Sequence, residues 1–585
     1  MKFLRNLLAT IVGLFVFMFL CIGILIVIAS ATEDKVVIKN KTVLHLKLDR
    51  AIQEREIDDP FSDLGFLTGN QKKAIGLYEL KNAIKNAKTD DKIEGILLEA
   101  PMVMAGYATA EDIRNSLEDF KESGKFLIAY SEYYSEGAYF LSSIADTIIT
   151  NPDYGMVEFI GLSSTMPFFK GTLQKLEVEP YIFRVGDFKS AVEPFMLEKM
   201  SDESRLQSET LLNGVYNNIT SKIASSRGIA HEELLRISKD MLVRNAEDAL
   251  NYKLVDMLAY RDQAEAFLKQ KLGLEEKKDI EFVSYAKYNK SYEDKNTSRN
   301  RIAVIVAEGE IIQGKSQGNS DIGSEDIAKE LKRARLDDKT KAIVLRINSP
   351  GGSAYASDIM WREIVLASAA KPVIATMSDV AASGGYYMAM ACDTIVASPM
   401  TITGSIGVFG LLLNVEKMLE NKLGITTDNV STGNFSDLGN MSRPMKEAEK
   451  QVIQAMVDDI YGLFVSKAAE GRKMSVEDLK KVASGRVWTG EDALERGLVD
   501  VFGNMDDAIQ IAAAKAGIED DFRIRLYPIQ KSPFEQIMET FGEEVEVRVL
   551  KMQLGEYFPL LQKLNQLKKM QGIQAKMPYE VIKSF

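Results

Sequence analysis

The stretch Thr89-Asp-Asp-Lys-Ile-Glu-Gly-Ile-Leu-Leu98 returns as Leu336-Asp-Asp-Lys-Thr-Lys-Ala-Ile-Val-Leu345, which is 336 − 89 = 247 positions later. The offset persists. Ile144-Ala-Asp-Thr-Ile-Ile149 matches Ala391-Cys-Asp-Thr-Ile-Val396, and Asn151-Pro152 matches Ser398-Pro399. Towards the end it slips by three, to 244, where Ala246-Glu-Asp-Ala-Leu250 meets Gly490-Glu-Asp-Ala-Leu494 and Leu254-Val-Asp256 meets Leu498-Val-Asp500. A fixed long period marks related structural units. The chain must therefore fold as two related domains of about 250 residues, each long enough to close its own core. Lys287 to Arg301 is polar and has no apolar period, so it reads as the linker. The expected division is a stub and anchor over residues 1–33, a first repeat over 34–290, and a second repeat with a helical extension over 291–585.

Inside each repeat, short β-branched runs alternate with longer helical patterns. Ile302–Val306, Ala342–Ile347, Pro372–Thr376 and Thr394–Ala397 read as buried strands, and Asp326–Ala334 and Ala354–Ala369 as crossover helices. The fold class this predicts is α/β, two tandem βαβ domains with parallel sheets, following one N-terminal transmembrane helix. From Glu535 to Met570, Leu, Phe and Met recur every three or four residues, which reads as an assembly or domain-packing surface.

The anchor is predicted from Leu7 to Ser30, 24 residues without a charge. At about 1.5 Å per residue such a helix spans roughly 36 Å, enough for a bilayer core. Ala29-Ser-Ala31 resembles a signal-peptidase site, but the apolar region of a cleaved signal is only about 7 to 15 residues, so retention is expected. Lys2 and Arg5 precede the run, while Glu33 and Asp34 follow it, which places the N-terminus in the cytoplasm and both repeats outside the cytoplasmic membrane.

Composition narrows the chemistry. With 72 basic against 84 acidic residues the net charge is −12, so a nucleic-acid partner is not expected. The two cysteines, Cys21 and Cys392, allow no disulfide framework and no zinc cage. The two histidines, His45 in an alternating strand and His231 at a helix start, read as structural. A histidine-based triad, a multi-histidine metal site and a haem are thereby set aside; no metal or cofactor is expected, and any hydrolysis needs another base.

Two glycine-rich turns of the second repeat could act. Asn348-Ser-Pro-Gly-Gly-Ser353 follows a strand, and its paired glycines let backbone N–H groups approach a ligand closely. Asp379-Val-Ala-Ala-Ser-Gly-Gly-Tyr-Tyr387 also follows a strand and opens a helix, which suits Ser383 as a nucleophile with Gly384 beside it. Neither turn carries a nucleotide-binding fingerprint.

These motifs, with Thr403-Gly-Ser-Ile-Gly407 and Val185-Gly-Asp-Phe-Lys-Ser-Ala-Val-Glu-Pro-Phe195, closely resemble the long, tandem-domain form of the signal peptide peptidase A (protease IV) family, over nearly the whole chain. The resemblance implies a membrane-anchored serine endopeptidase with a crotonase and Clp-protease-like fold, no cofactor, and a homotetrameric bowl with inward-facing sites. It implies signal peptides and other hydrophobic peptides as substrates. Residue by residue it implies Ser383 as nucleophile, Lys189 as general base, Ser405 as the hydroxyl orienting the lysine, and Gly351, Gly352 and Gly384 as the oxyanion hole. Phe188 stands where the family often has tyrosine, a change expected to be harmless.

The duplication bears on this independently. Shifting Ser383 back by 247 gives Glu136, and shifting Lys189 forward gives Ser436, so each repeat holds one half of the pair. The counterpart of the glycine turn, Pro101-Met-Val-Met-Ala105, has no glycine. One active site per chain follows, with Lys189 expected to reach the serine of its own chain. A lysine serves as base only when neutral, and burial between the repeats would have to depress its pKa. Two other readings remain: a non-catalytic scaffold binding apolar peptides in the same groove, and acyl-CoA chemistry, which a location outside the cytoplasm disfavours.

Overall fold

The computed structural model describes most of residues 2–17, and then 36–56, 73–292, 296–316, 321–529 and 572–577. The repeat is visible in the element boundaries themselves. Helices Leu77–Thr89 and Tyr107–Lys121 reappear 247 residues on as Ser324–Leu336 and Ala354–Ser368, and strand Thr147–Thr150 as Thr394–Ala397.

In the first repeat, six parallel strands run in the order Met257–Leu258, Thr147–Thr150, Phe126–Tyr130, Ile93–Glu99, Thr42–Lys47, Phe282–Ser284. In the second, the main path of an eight-stranded sheet is Val487–Thr489, Ile402–Gly404, Val373–Ala382, Thr340–Ser349, Arg301–Glu308, Arg523–Tyr527. Its central strands carry long β-branched runs such as Ala342-Ile-Val-Leu-Arg-Ile347, buried on both faces because helices cover both sides. Helix Leu77–Thr89 buries Leu77, Leu80, Ile84 and Ala87, a stripe at spacings of three and four that packs on the first sheet. Burying an aliphatic side chain fully is worth about 1.5–3 kcal/mol, so each repeat has a core of its own.

A third sheet stitches the repeats together. Its order is Asp321–Gly323, Glu310–Ile312, Gly351–Ser353, Gly572–Lys576, Val408–Asn414, Glu179–Val185. The last of these belongs to the first repeat and pairs antiparallel with the second, from Val185↔Val408 to Glu179↔Asn414. The strand delivers whatever follows Val185 into the second repeat.

Two differences from the sequence reading have physical causes. The first part of the expected linker, Lys287 to Ser291, is the end of helix Tyr285–Ser291, because Tyr285 and Tyr288 lie buried against the first core and the Tyr288 hydroxyl donates to Asp90 at 2.9 Å. The residues Gly351–Ser353 form a short strand, not an open turn, because the C-terminal strand Gly572–Lys576 pairs with them. Among the described residues no helix is long and apolar enough to cross a membrane. The predicted anchor, Leu7 to Ser30, falls largely outside the described residues, and the stretch from Glu535 to Met570 falls wholly outside them.

Candidate active site

Ser383 caps the strand Val373–Ala382 at the point where helix Gly384–Ala389 begins. Its backbone sits at φ 54°, ψ −110°, a conformation that costs a residue with a Cβ of order 1–3 kcal/mol and persists only where surroundings enforce it. Here the Ser383 N–H donates to Gly404 O at 2.8 Å, and the neighbouring glycines leave no room to relax. The hydroxyl is held at a fixed point, fully buried.

Lys189 arrives from the other repeat. After Val185 the chain turns at Gly186, φ 99°, and Phe188 N–H donates to Ser484 O at 3.1 Å. The Lys189 Nζ then lies 2.9 Å from Ser383 Oγ, 3.1 Å from Ser405 Oγ and 3.3 Å from Ser405 O. Ser405 Oγ donates in turn to Gly485 O at 3.3 Å, which leaves its lone pairs facing the amine. Lys189 has no exposed surface, and among the described residues no carboxylate pairs with the amine. Burial alone therefore pushes its pKa well below the ordinary lysine range. The serine, the lysine and Ser405 all meet within one chain.

The glycines gather beside them. A Cβ built on Gly351, at φ 97°, would fall 2.8 Å from the Gly384 nitrogen and 2.1 Å from the carbonyl oxygen of Ala575. The Ala575 carbonyl thus points to the junction of Gly351 and Gly384. Its strand lies between Gly351–Ser353 and Val408–Asn414, antiparallel to both, with Gly352↔Ala575 and Phe409↔Gln574 in register. Beyond it, Met577 N–H donates to Pro350 O at 2.7 Å, and its side chain packs with Leu211, Val380, Ala382, Ile402 and Val487. An extended peptide therefore runs past Ser383 with one carbonyl presented to the glycines.

The counterpart positions in the first repeat are differently equipped. Glu136 is buried, accepts backbone N–H bonds from Gly161 at 3.0 Å and Ile160 at 3.4 Å, and is pushed up to about 7, by burial above all. Ser436 sits exposed, its hydroxyl donating to Gly433 O at 2.8 Å. His45 pairs with Glu99 at 2.9 Å, and His231 meets Thr220 at 2.8 Å. Neither histidine touches Lys189 or Ser383.

Sequence reasoning missed the groups that hold the lysine loop. Gln207, on helix Asp202–Arg227, donates to Phe188 O at 3.0 Å and Ser190 Oγ at 2.7 Å, while its Oε1 accepts from Val487 N–H at 3.3 Å. A Cβ on Gly485, φ 78°, would fall 2.7 Å from Lys189 Cβ and 2.8 Å from its Cα. Gly407 packs on the Lys189 stem, 3.2 Å from its Cδ to where a Cβ would be. Ser484-Gly485 carries a turn signal, but nothing local in a sequence says which distant lysine the turn must admit.

A buried serine hydroxyl against a desolvated amine, with glycine N–H groups beside it, is the equipment of a serine hydrolase. Comparison with known proteins makes the class specific. The sequence profile of Peptidase family S49 matches residues 119–275 and 366–519, one segment in each repeat. Protease 4 of Salmonella typhi is 36% identical over 479 residues, covering 80% of this chain and 76% of that protein. A chloroplastic serine protease SPPA of Arabidopsis thaliana is 34% identical over 513 residues, covering 86% and 74%. A putative signal peptide peptidase SppA of Enterococcus faecium is 38% identical over 181 residues, 31% of this chain and 52% of that one. The chain belongs to peptidase family S49, in its tandem form, and is a serine protease.

Proposed function

We propose that the protein is a membrane-anchored endopeptidase with a Ser383/Lys189 dyad that degrades cleaved signal peptides and other apolar peptides at the outer face of the cytoplasmic membrane. The observation that carries this reading is the 2.9 Å approach of Lys189 Nζ to Ser383 Oγ, with both side chains fully buried. In this reading the neutral amine takes the proton of Ser383 as Oγ attacks the carbonyl. The developing oxyanion is met by N–H groups at Gly384 and the Gly351-Gly352 strand. The lysine then hands its proton to the leaving amine, and water releases the acyl group by the same route in reverse. Ser405 keeps the amine aimed at Oγ without adding the negative charge that would re-protonate it.

The substrate takes the place of the C-terminal strand, adding a strand between Gly351–Ser353 and Val408–Asn414, so that main-chain hydrogen bonds give affinity and alternate side chains enter pockets. Apolar residues then suit both the small site at Ala575 and the cluster around Met577, which favours hydrophobic signal-peptide cores. The anchor over Leu7 to Ser30 would hold the groove near the membrane where such peptides are left, and a homotetramer, on a crotonase and Clp-protease-like scaffold, completes the reading.

A fluorophosphonate probe tests it. The intact protein is expected to incorporate one probe per chain, on Ser383, and Ser383→Ala none. An unlabelled intact protein that still binds apolar peptides would return the scaffold reading. A second expectation concerns the groove. Removing residues 571–585 takes away an occupant held at an effective concentration of about a millimolar, and kcat/KM for a short apolar peptide ester should rise roughly tenfold. An unchanged value would mean that this strand does not compete with substrate.

A further inference from the structure

The catalytic half of the molecule is built on a polar seam that the proposed chemistry does not use. Arg346 lies on the strand Thr340–Ser349, two residues before the glycine motif, and is 2% exposed. Its Nε meets Glu54 Oε2 at 2.7 Å, while its other nitrogens donate to Thr376 Oγ1, Met377 O and Ser378 Oγ at 3.2, 3.2 and 2.9 Å. Glu54 comes from the first repeat. Its other oxygen accepts from Asn348 Nδ2 at 3.2 Å, and Asn348 Oδ1 accepts from Val380 N–H at 3.4 Å. One carboxylate of the first repeat is thereby tied to the first residue of the glycine motif and, through it, to the strand carrying Ser383.

The second tie runs the other way. Helix Tyr107–Lys121 starts at Gly106, which has no side chain to cap it. Its counterpart in the second repeat starts at Ser353, whose Oγ accepts from Ala356 N–H at 3.3 Å. The missing cap is supplied across the seam by Asp379, four residues before Ser383. The Asp379 carboxylate accepts from Gly106 N–H at 3.0 Å, Thr109 N–H at 2.8 Å and the Thr109 hydroxyl at 2.8 Å. A Cβ on Gly106 would fall 2.3 Å from Asp379 Cγ, so the absence of a side chain at this position is what makes room for the cap from the other repeat.

A buried ion pair is poor evidence for stability, since an apolar replacement is often as stable; its best-attested use is to fix one arrangement. Both ties end on the two strands whose register sets the distance between the glycine N–H groups and the serine. We propose that Glu54 and Thr109 of the first repeat are positioning residues for the second repeat's glycine motif and nucleophile strand, so that the first repeat sets the rate at which Ser383 is acylated besides supplying the lysine. This rests on the Ser383 reading above.

The experiment compares intact protein with Glu54→Gln, Thr109→Val and Asp379→Asn, scoring each per folded chain. The readouts are the rate constant for fluorophosphonate labelling of Ser383, kcat, KM, the pH midpoint and the melting temperature. Each variant is expected to label about tenfold more slowly and to lose kcat in proportion, because small misplacements near reacting atoms are costly. KM should stay within about twofold and the pH midpoint should not move, since Lys189 is untouched. Thr109→Val removes a single hydroxyl and carries the test should Glu54→Gln fail to fold. Labelling and kcat at intact-protein levels in the folded variants, whatever their melting temperatures, would overturn the proposal and leave the seam as glue. Failure of the intact protein to label would instead sink the Ser383 reading itself.

Discussion

Lys189→Met is expected to lower kcat by about 10,000-fold or more, as loss of any member of a nucleophile–base unit does, and at the same time to raise the melting temperature at pH 7. Both effects come from one cause. The lysine is buried with no counter-ion among the described residues, so the folded state holds it neutral well below its ordinary range. The unfolded chain keeps the proton up to about 10.4. Between those limits the unfolded state binds more protons, so stability must rise with pH across that window. A methionine of similar length fills the site, keeps the stem contacts with Gly407 and carries no proton to lose. Its stability advantage should be greatest at the acid end of the window and shrink to nothing near 10.4. Thermal unfolding of both proteins from about pH 6 to 10 measures this directly. A Met variant less stable than the intact protein at pH 7, or a gap that does not narrow as pH rises, contradicts a desolvated base. Stability given up at an active site is a recurrent cost of function.

Much of this was legible in the sequence because duplication makes the chain its own comparison. The strands and helices of the second repeat follow from β-branched runs and apolar spacing, and the boundaries of the crossover helices reproduce the 247-residue offset. Ser383 could be singled out by its Ser-Gly-Gly turn between a strand and a helix, and Lys189 only through a family motif, because a lysine in an exposed-looking turn gives no local sign that it will be buried. What could not be read is what the seam between the repeats does. Across the seam Asp379 meets Thr109, Arg346 meets Glu54 and Gln207 meets Val487, at separations of 270, 292 and 280 residues, and polarity alone places Asp379, Arg346 and Gln207 on the surface. The C-terminal strand was illegible for a related reason: Gly572-Ile-Gln-Ala-Lys576 has weak strand propensity, and its conformation is imposed by the edges of the groove it enters.

Gly485→Ala should reduce kcat about 100-fold, far beyond what its backbone strain explains, and Gly497→Ala separates the two contributions. Both glycines have left-handed backbones, at φ 78° and 70°. Adding a Cβ in that region costs about 1–2 kcal/mol at either site. They differ in what the Cβ meets. At Gly497 the nearest atom is Met474 Sδ at 3.9 Å, an ordinary contact with a flexible end. At Gly485 it is the backbone and Cβ of Lys189, at 2.7 to 2.8 Å, so the lysine loop itself must move by several tenths of an ångström or more. That loop is tied by Phe188 N–H to Ser484 O and by Gln207, so the displacement cannot be absorbed within it and passes to Nζ. A shift of about 1 Å between base and nucleophile costs on the order of 100-fold in rate. Because Gly485 O also accepts the Ser405 hydroxyl bond, the same change loosens the group that orients the amine. The two variants should therefore lose similar stability from strain and differ sharply in kcat and in the rate of Ser383 labelling. Equal kcat in the two would show that the lysine loop has room to yield, and that the 2.9 Å approach of Nζ to Oγ does not depend on the turn that Gly485 makes.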